Sequence, residues 1–137
     1  MLIAVGQQRN CPMNPTNLQA QLAQFTGSRT FTRHGLARSM VMTEGVIFLA
    51  DAASAHWLTD AIASYIHDPR SRREAFQVWH LVVDASDRSA RLAMTDGNDP
   101  VPIVAQDIRY TDFPLNEITL WLVADGRYRV LMLPSEY

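Results

Sequence analysis

Apolar residues recur at helical spacing near the start of the chain. Asn14 and Pro15 suit the cap and first position of a helix, and Gly27 suits its left-handed end. Three apolar residues lie between these signals at helical spacing: Leu18, Leu22 and Phe25. The pattern therefore predicts a first helix. Residues 28–36 are predicted to form a loop, and residues 38–42 a short extended segment.

A longer helical region follows the extended segment. Thr43 suits its N-cap, because Glu44 then places an acid in the first turn. An apolar stripe at helical spacing continues through Val46, Leu49, Ala50, Ala53, Trp57, Leu58, Ala61, Ile62, Tyr65 and Ile66. The length of this stripe predicts a break, with Ser54 as a second cap. Pro69 is expected to end the region.

From Phe76 onward the apolar period changes to two. Five extended segments are expected, at about residues 76–83, 91–95, 101–110, 118–124 and 128–133. Asp96–Pro100 is rich in turn-forming residues, and Asp125–Gly126 predicts a two-residue hairpin turn. Such short connections join antiparallel neighbours. The sequence therefore predicts an α+β fold, with N-terminal helices followed by a four- to five-stranded antiparallel meander sheet.

The last two predicted strands are apolar on both faces. Ile118, Leu120 and Leu122 share one face of the first, while Trp121 and Val123 share the other. A sheet with one covered face normally alternates apolar with polar residues. We therefore expect the second face to be covered by other elements or by another chain. Trp121 is predicted to be a binding residue, and a homodimer is expected.

Length and composition indicate one domain. The chain has 137 residues, of which 47% are hydrophobic, which is enough to form a core. We expect residues 1–12 to be a flexible leader before a single domain at residues 13–137, with Met1 or Met13 as the native start. No run approaches the roughly 18 apolar residues that cross a membrane. A cytoplasmic protein without a membrane partner is expected.

Charge argues against nucleic acid as the main partner, since the net charge of −2 gives no overall basic character. All twelve basic residues are Arg, and three of them, Arg70, Arg72 and Arg73, form a cluster before the sheet. This cluster could contact phosphates or carboxylates, so an accessory nucleic-acid-binding protein is one alternative. Cys11 stands alone, which excludes a disulfide framework. No cofactor or metal is expected.

Two groups of polar residues are candidates for catalysis. Arg33 and His34 lie together in a predicted loop, and His56 and Asp60 are four residues apart on the predicted main helix. These four residues define a second alternative, a small enzyme with His34, His56 and Asp60 as its catalytic candidates and Arg33 as a binding residue. Solvated hydrogen-bonded pairs explain the same spacing, and no dense catalytic motif accompanies them.

Several sequence motifs occur in a specific order. They include FTGS at residues 25–28, RHGL at 33–36, TDFPLNEITL at 111–120 and the terminal LPSEY at 133–137. In this ordered set the chain resembles an uncharacterised family, the domain of unknown function 6876, from about Leu18 onward. Residues 1–12 have no counterpart in the resemblance.

The resemblance implies no known activity. It does imply a context in bacteria, plasmids and phages, where small proteins act in conflicts between mobile elements and hosts. We therefore expect a non-catalytic protein-binding module, such as an accessory or inhibitor protein that acts against a host defence complex, as an anti-CRISPR does.

Overall fold

The computed structural model describes residues 15–27 and 30–137. The predicted leader at residues 1–12, its Cys11 and the predicted Asn14 cap lie outside the described residues. The α-helices within the described part are α1 (Pro15–Leu22), α2 (Glu44–Ala52), α3 (His56–Ala63) and α4 (Pro69–Arg72). A 3₁₀ turn, Pro134–Glu136, follows the last strand.

One sheet joins all the strands of the described residues. The strands are β1 (Phe31–Arg33), β2 (Met40–Thr43), β3 (Phe76–Asp84), β4 (Ser89–Thr95), β5 (Val104–Ile108), β6 (Glu117–Asp125) and β7 (Tyr128–Met132). Their order across the sheet is β1-β2-β7-β6-β3-β4-β5. The β2–β7 pair is parallel, and every other pair is antiparallel. The fold is therefore mixed α and β, as predicted.

The helical prediction is right in its main features and wrong at its ends. The Thr43 hydroxyl accepts the Val46 N–H at 3.3 Å, so the predicted cap of α2 is present. The break also occurs, but Ser54 terminates α2 with a φ of 51° and does not cap α3. Pro69 begins α4, with Asp68 as its cap, where it was expected to end a helix. Helix α1 ends at Leu22, before Gly27.

The sheet has seven strands among the described residues, which is more than the four or five predicted. Strand β1 lies within the residues that were predicted to form a loop. The sequence did not predict this strand because its three residues are all exposed and show no alternation of buried and exposed positions. The meander is also wrong, since β6 pairs with β3 and not with β5. Strands β3 and β6 have nine residues each, whereas β5 has five, so the β3–β6 pairing makes the longer ladder.

The β6–β7 turn is shifted by one residue from its predicted place. Asp125 pairs with Tyr128, which leaves Gly126 and Arg127 as the two-residue loop. Gly126 has a φ of 61°, the left-handed conformation that such a turn requires and that glycine adopts without strain. The turn places Arg127 at the end of the sheet where β7 begins.

The core lies between the helices and one face of the sheet. Alternate residues of the central strands point into it and are almost fully buried: Trp79, Leu81, Leu92, Met94, Leu120 and Leu122. The helices contribute Leu18, Leu49, Leu58 and Ile62. The intervening residues of each strand point to the opposite side, which we call the open face.

Candidate functional site

An apolar patch occupies one half of the open face. The ladder places Val78 opposite Trp121, and Phe76 opposite Val123. Met132 of β7 is in turn opposite Trp121. All five side chains are half-buried, although their neighbours along each strand are the buried residues of the core. The predicted binding residue Trp121 lies at the centre of this patch.

Three aromatic rings form a cluster on the patch. Phe76 and Trp121 have ring centroids 5.1 Å apart, and the Tyr137 ring lies 6.1 Å from Phe76 and 5.4 Å from Trp121. All three contacts are edge-to-face, an arrangement that favours aromatic pairs. Tyr137 stays 74% exposed. The terminal ring therefore enlarges the aromatic surface without removing it from solvent.

Glu136 fixes the tail that carries Tyr137. Its carboxylate accepts the Thr43 hydroxyl at 2.6 Å, the Gly45 N–H at 3.2 Å and the Leu133 N–H at 3.0 Å. A negative charge is favourable there, since α2 begins at Glu44 and presents free N–H groups. A Cβ atom at Gly45 would lie 2.6 Å from both Glu136 Oε1 and Leu133 Cδ1. Gly45 is thus required for this close approach.

The other half of the open face, which we call the polar half, carries charged side chains beside small and apolar ones such as Val82. A shallow concavity of about 570 Å³ lies there, and small side chains such as Ser89 and Ala93 help to line it. His80 contacts Glu117 at 3.1 Å. Arg91 contacts Asp107 at the same distance. These exposed ion pairs contribute little to stability.

His34 is a buried structural link between the β1–β2 loop and α3. Its Nδ1 accepts the N–H groups of Leu36 and Ala37, both at 3.1 Å. The ring proton therefore lies on Nε2, which donates to Asp60 Oδ1 at 2.8 Å. His34 and Asp60 also line a pocket of about 260 Å³. Both ring nitrogens are occupied, which leaves neither free to accept a substrate proton.

The predicted four-residue catalytic set does not form one site. Asp60 pairs with His34, so the expected His56–Asp60 pair is wrong. His56 contacts Asp51 at 2.9 Å instead, and both side chains are largely exposed. Arg33 lies on the open face, where it donates to the Tyr128 hydroxyl at 3.0 Å. Adjacent residues of a strand point to opposite faces, which separates Arg33 from His34.

The His34→Ala change is expected to lower the unfolding free energy by about 1–3 kcal/mol. The change leaves the N–H groups of Leu36 and Ala37 without their acceptor, and the Ala37 group is buried. His56→Ala is the matched control, with an expected change within about 0.5 kcal/mol, because that pair is exposed. Urea unfolding of both variants measures the difference. Equal losses would contradict the structural role of His34.

The predicted basic cluster divides into paired and unpaired residues. Hydrogen bonds from the Arg70 side chain and backbone lower the pKa of Asp68, and the same pairing raises the pKa of Arg70. Arg73 donates to the carbonyl of Pro69 at 3.3 Å. The carbonyl of Arg72 accepts a hydrogen bond from Arg129 at 3.0 Å. Arg70 is therefore already neutralised, whereas Arg72 and Arg73 form no ion pair within the described residues.

Residues 15–27 and 30–137 also lack two other kinds of feature. No group of three or more His, Cys, Asp or Glu side chains in these ranges is arranged to hold a metal ion. No helix in this part of the chain has the length and apolar character needed to cross a bilayer.

A protein family matches the chain over residues 16–137. It is a family of unknown function, DUF6876. The chain belongs to this family. The match confirms the resemblance seen in the ordered motifs of the sequence. No curated protein matches the chain.

This DUF6876 protein is also similar to a solved structure, described as a protein of unknown function from Enterococcus faecalis. The two chains are 18% identical, and the similarity covers 79% of this chain and 98% of the other. The TM-score is 0.54. At this identity the similarity shows a shared fold and nothing about function.

Some features of the DUF6876 fold give no local sequence signal. Two cations contact the Tyr128 ring, with the Arg33 and Arg127 guanidinium carbons 5.6 and 5.5 Å from its centroid. Arg33 is 95 residues from Tyr128 along the chain. The Glu136 contacts with α2 span a similar separation. Only the parallel β2–β7 pairing brings these residues together, and the sequence does not predict that pairing.

Proposed function

We propose that this DUF6876 protein is a non-catalytic protein-binding module that contacts its partner through the aromatic half of the open face. The observation that carries the proposal is the cluster of Phe76, Trp121 and Tyr137 on a side of the sheet opposite the helices. Aromatic residues are enriched in the cores of protein interfaces, where a few of them supply most of the binding energy. Tyr137 reaches the cluster only because Glu136 anchors the tail.

The arrangement of the histidines favours binding over catalysis. His34 uses both ring nitrogens in contacts that hold the fold together. His56 lies in a separate, exposed pair with Asp51. The enzyme alternative, which needs Arg33, His34, His56 and Asp60 together, therefore has weaker support than the binding module.

The wider role that we propose is that of an accessory or inhibitor protein from a mobile element. It would act in the cytoplasm against a host defence complex, as an anti-CRISPR does. The support for this role is the plasmid and phage context that the family resemblance implies. A small domain with one exposed aromatic surface suits inhibition by occlusion, since such a surface can cover part of a larger complex.

A second copy of the chain is one partner that the open face could take. Homodimers commonly bury apolar surface, and a two-fold interface uses the same patch on both subunits. We therefore expect a homodimer at tens of micromolar, measured by light scattering. A strict monomer would eliminate self-association and leave a different protein as the partner.

The Trp121→Asp change tests the proposed surface. A buried unpaired charge at the centre of an interface is costly, so we expect the affinity for the partner to fall at least about 100-fold. Capture from a host lysate identifies the partner, and titration of the purified partner then gives the affinity. Circular dichroism and the unfolding midpoint confirm that the variant is folded.

Val82→Asp is the matched control for this test. Val82 is 46% exposed and lies on the same face, but in its polar half. We expect its partner affinity to stay within about threefold of the original, since residues outside the centre of an interface contribute little. A folded Trp121→Asp variant that binds as well as the Val82→Asp control would overturn the proposal.

A further inference from the structure

Five arginines gather where β7 begins, at one end of the sheet. Arg127 lies in the β6–β7 turn, and Arg129 is the second residue of β7. The carbonyl of Arg72, at the end of α4, accepts a hydrogen bond from Arg129. Arg33 ends β1 and contacts Tyr128, while Arg38 precedes Ser39, whose carbonyl accepts the Arg129 N–H at 2.8 Å. We call Arg33, Arg38, Arg72, Arg127 and Arg129 the arginine cluster.

Arg129 holds the cluster to the body of the domain. Its guanidinium donates to the carbonyl of Glu74 at 2.7 Å and to that of Arg72 at 3.0 Å. These bonds fix the connection between α4 and β3 beside the first residues of β7. The position of Arg72 relative to β7 is therefore set by the fold and does not depend on a flexible loop.

Two carboxylate residues lie beside the cluster, Glu74 in the connection between α4 and β3 and Asp125 before the β6–β7 turn. Within residues 15–27 and 30–137, none of its five members forms an ion pair. The same region does pair arginines elsewhere, Arg70 with Asp68 and Arg91 with Asp107. Arg33 and Arg127 instead lie over the Tyr128 ring, a contact that leaves most of their N–H donors available.

The positive charges also act on one another. Burial lowers the pKa of Arg129, and the nearby charge of Arg72 lowers it further. Two adjacent cations without an anion between them are mutually unfavourable. An anion bound at this end of the sheet would relieve that repulsion, so the cluster is better matched to a charged ligand than to solvent alone.

We propose that the arginine cluster binds nucleic acid through its phosphate backbone, without sequence preference. Four of its members are exposed and lie on four separate segments of the chain. Guanidinium groups on separate segments can contact successive phosphates of a nucleic-acid strand, whereas a single carboxylate occupies one or two guanidinium groups. The net charge of −2 limits such binding to this end of the molecule. Through Arg33 and Tyr128 the cluster adjoins the aromatic half of the open face. The proposal does not depend on the proposed protein partner.

Fluorescence anisotropy with a labelled oligothymidylate of about 20 nucleotides tests the site. The double variant Arg72→Gln/Arg127→Gln is expected to bind at least about tenfold more weakly than the unmodified chain at about 50 mM salt. Its plot of log affinity against log salt should also flatten, by about 0.7 for each phosphate that the variant no longer neutralises. Neither side chain donates a hydrogen bond to another described residue, so both changes should leave the protein folded.

Arg91→Gln/Arg109→Gln is the matched control, because it removes the same charge from the opposite end of the sheet. It should bind the oligonucleotide within about twofold of the unmodified chain. Trp121→Asp should also retain this binding, which separates the site from the proposed protein interface. The proposal is overturned by an unmodified chain that does not bind at about 50 mM salt, or by equal losses in both double variants. Equally tight binding of poly-glutamate would assign the cluster to an acidic protein instead.

Discussion

Replacing Trp79 with Ala is expected to lower the unfolding free energy by about 3–5 kcal/mol. The side chain is 1% exposed, and its ring lies 5.6 Å from that of Tyr65. Its indole N–H donates to Gln77 Oε1 at 2.9 Å. The substitution therefore creates a cavity and leaves a buried amide oxygen without its donor. Urea unfolding at equilibrium gives the value.

Trp121→Ala is the control for this prediction. Trp121 occupies the neighbouring strand but points to the open face, where it is only half-buried. The unfolding free energy is expected to fall by less than about 2 kcal/mol, because folding buries less of the surface of this ring. Equal costs for the two substitutions would mean that both faces of the sheet are covered, which contradicts the open face.

Deleting residues 134–137 is expected to lower the unfolding free energy by about 2–4 kcal/mol. The deletion removes the Glu136 carboxylate from the Thr43 hydroxyl and the Gly45 N–H. It also uncovers Leu133, which is 4% exposed in the complete chain. Hydrogen bonds to a charged group are stronger than neutral ones, so the anchor should dominate the loss.

Two single substitutions separate the anchor from the ring. Glu136→Ala should reproduce most of the loss, whereas Tyr137→Ala should cost less than about 1 kcal/mol, since that ring is 74% exposed. The unfolding midpoints of the three variants test this order. An unchanged midpoint in the deletion variant would show that the tail contributes nothing to stability.

The sequence predicts the second half of the chain better than the first. Strands β3, β6 and β7 are rich in β-branched, aromatic and other apolar residues and have turn residues at their ends, so their positions follow from local chemistry. Strand β1 has three exposed residues and no such pattern. The β3–β6 pairing is a choice between partners far apart in sequence, and local patterns do not encode that choice.

The candidate sites also differ in how well the sequence predicts them. The period-two pattern placed Trp121 on a second apolar face, and the structure has it on the open face. The partner predicted for Asp60 was wrong, because helical spacing favoured His56 while a loop 26 residues away supplied His34. The arginine cluster was predicted only in part, through Arg33 and Arg72 as separate candidates, since the chain brings its members together from distant segments.

Photo-crosslinking in the native host tests most directly whether the aromatic half of the open face binds a protein. The photoreactive residue p-benzoylphenylalanine would replace Trp121, Tyr137 or Ser64, an exposed residue just after α3, in separate variants. We expect adducts to one partner protein from positions 121 and 137 and none from position 64. Adducts from position 64 alone, or none from any position while the protein remains active, would show that the aromatic half is not the binding surface.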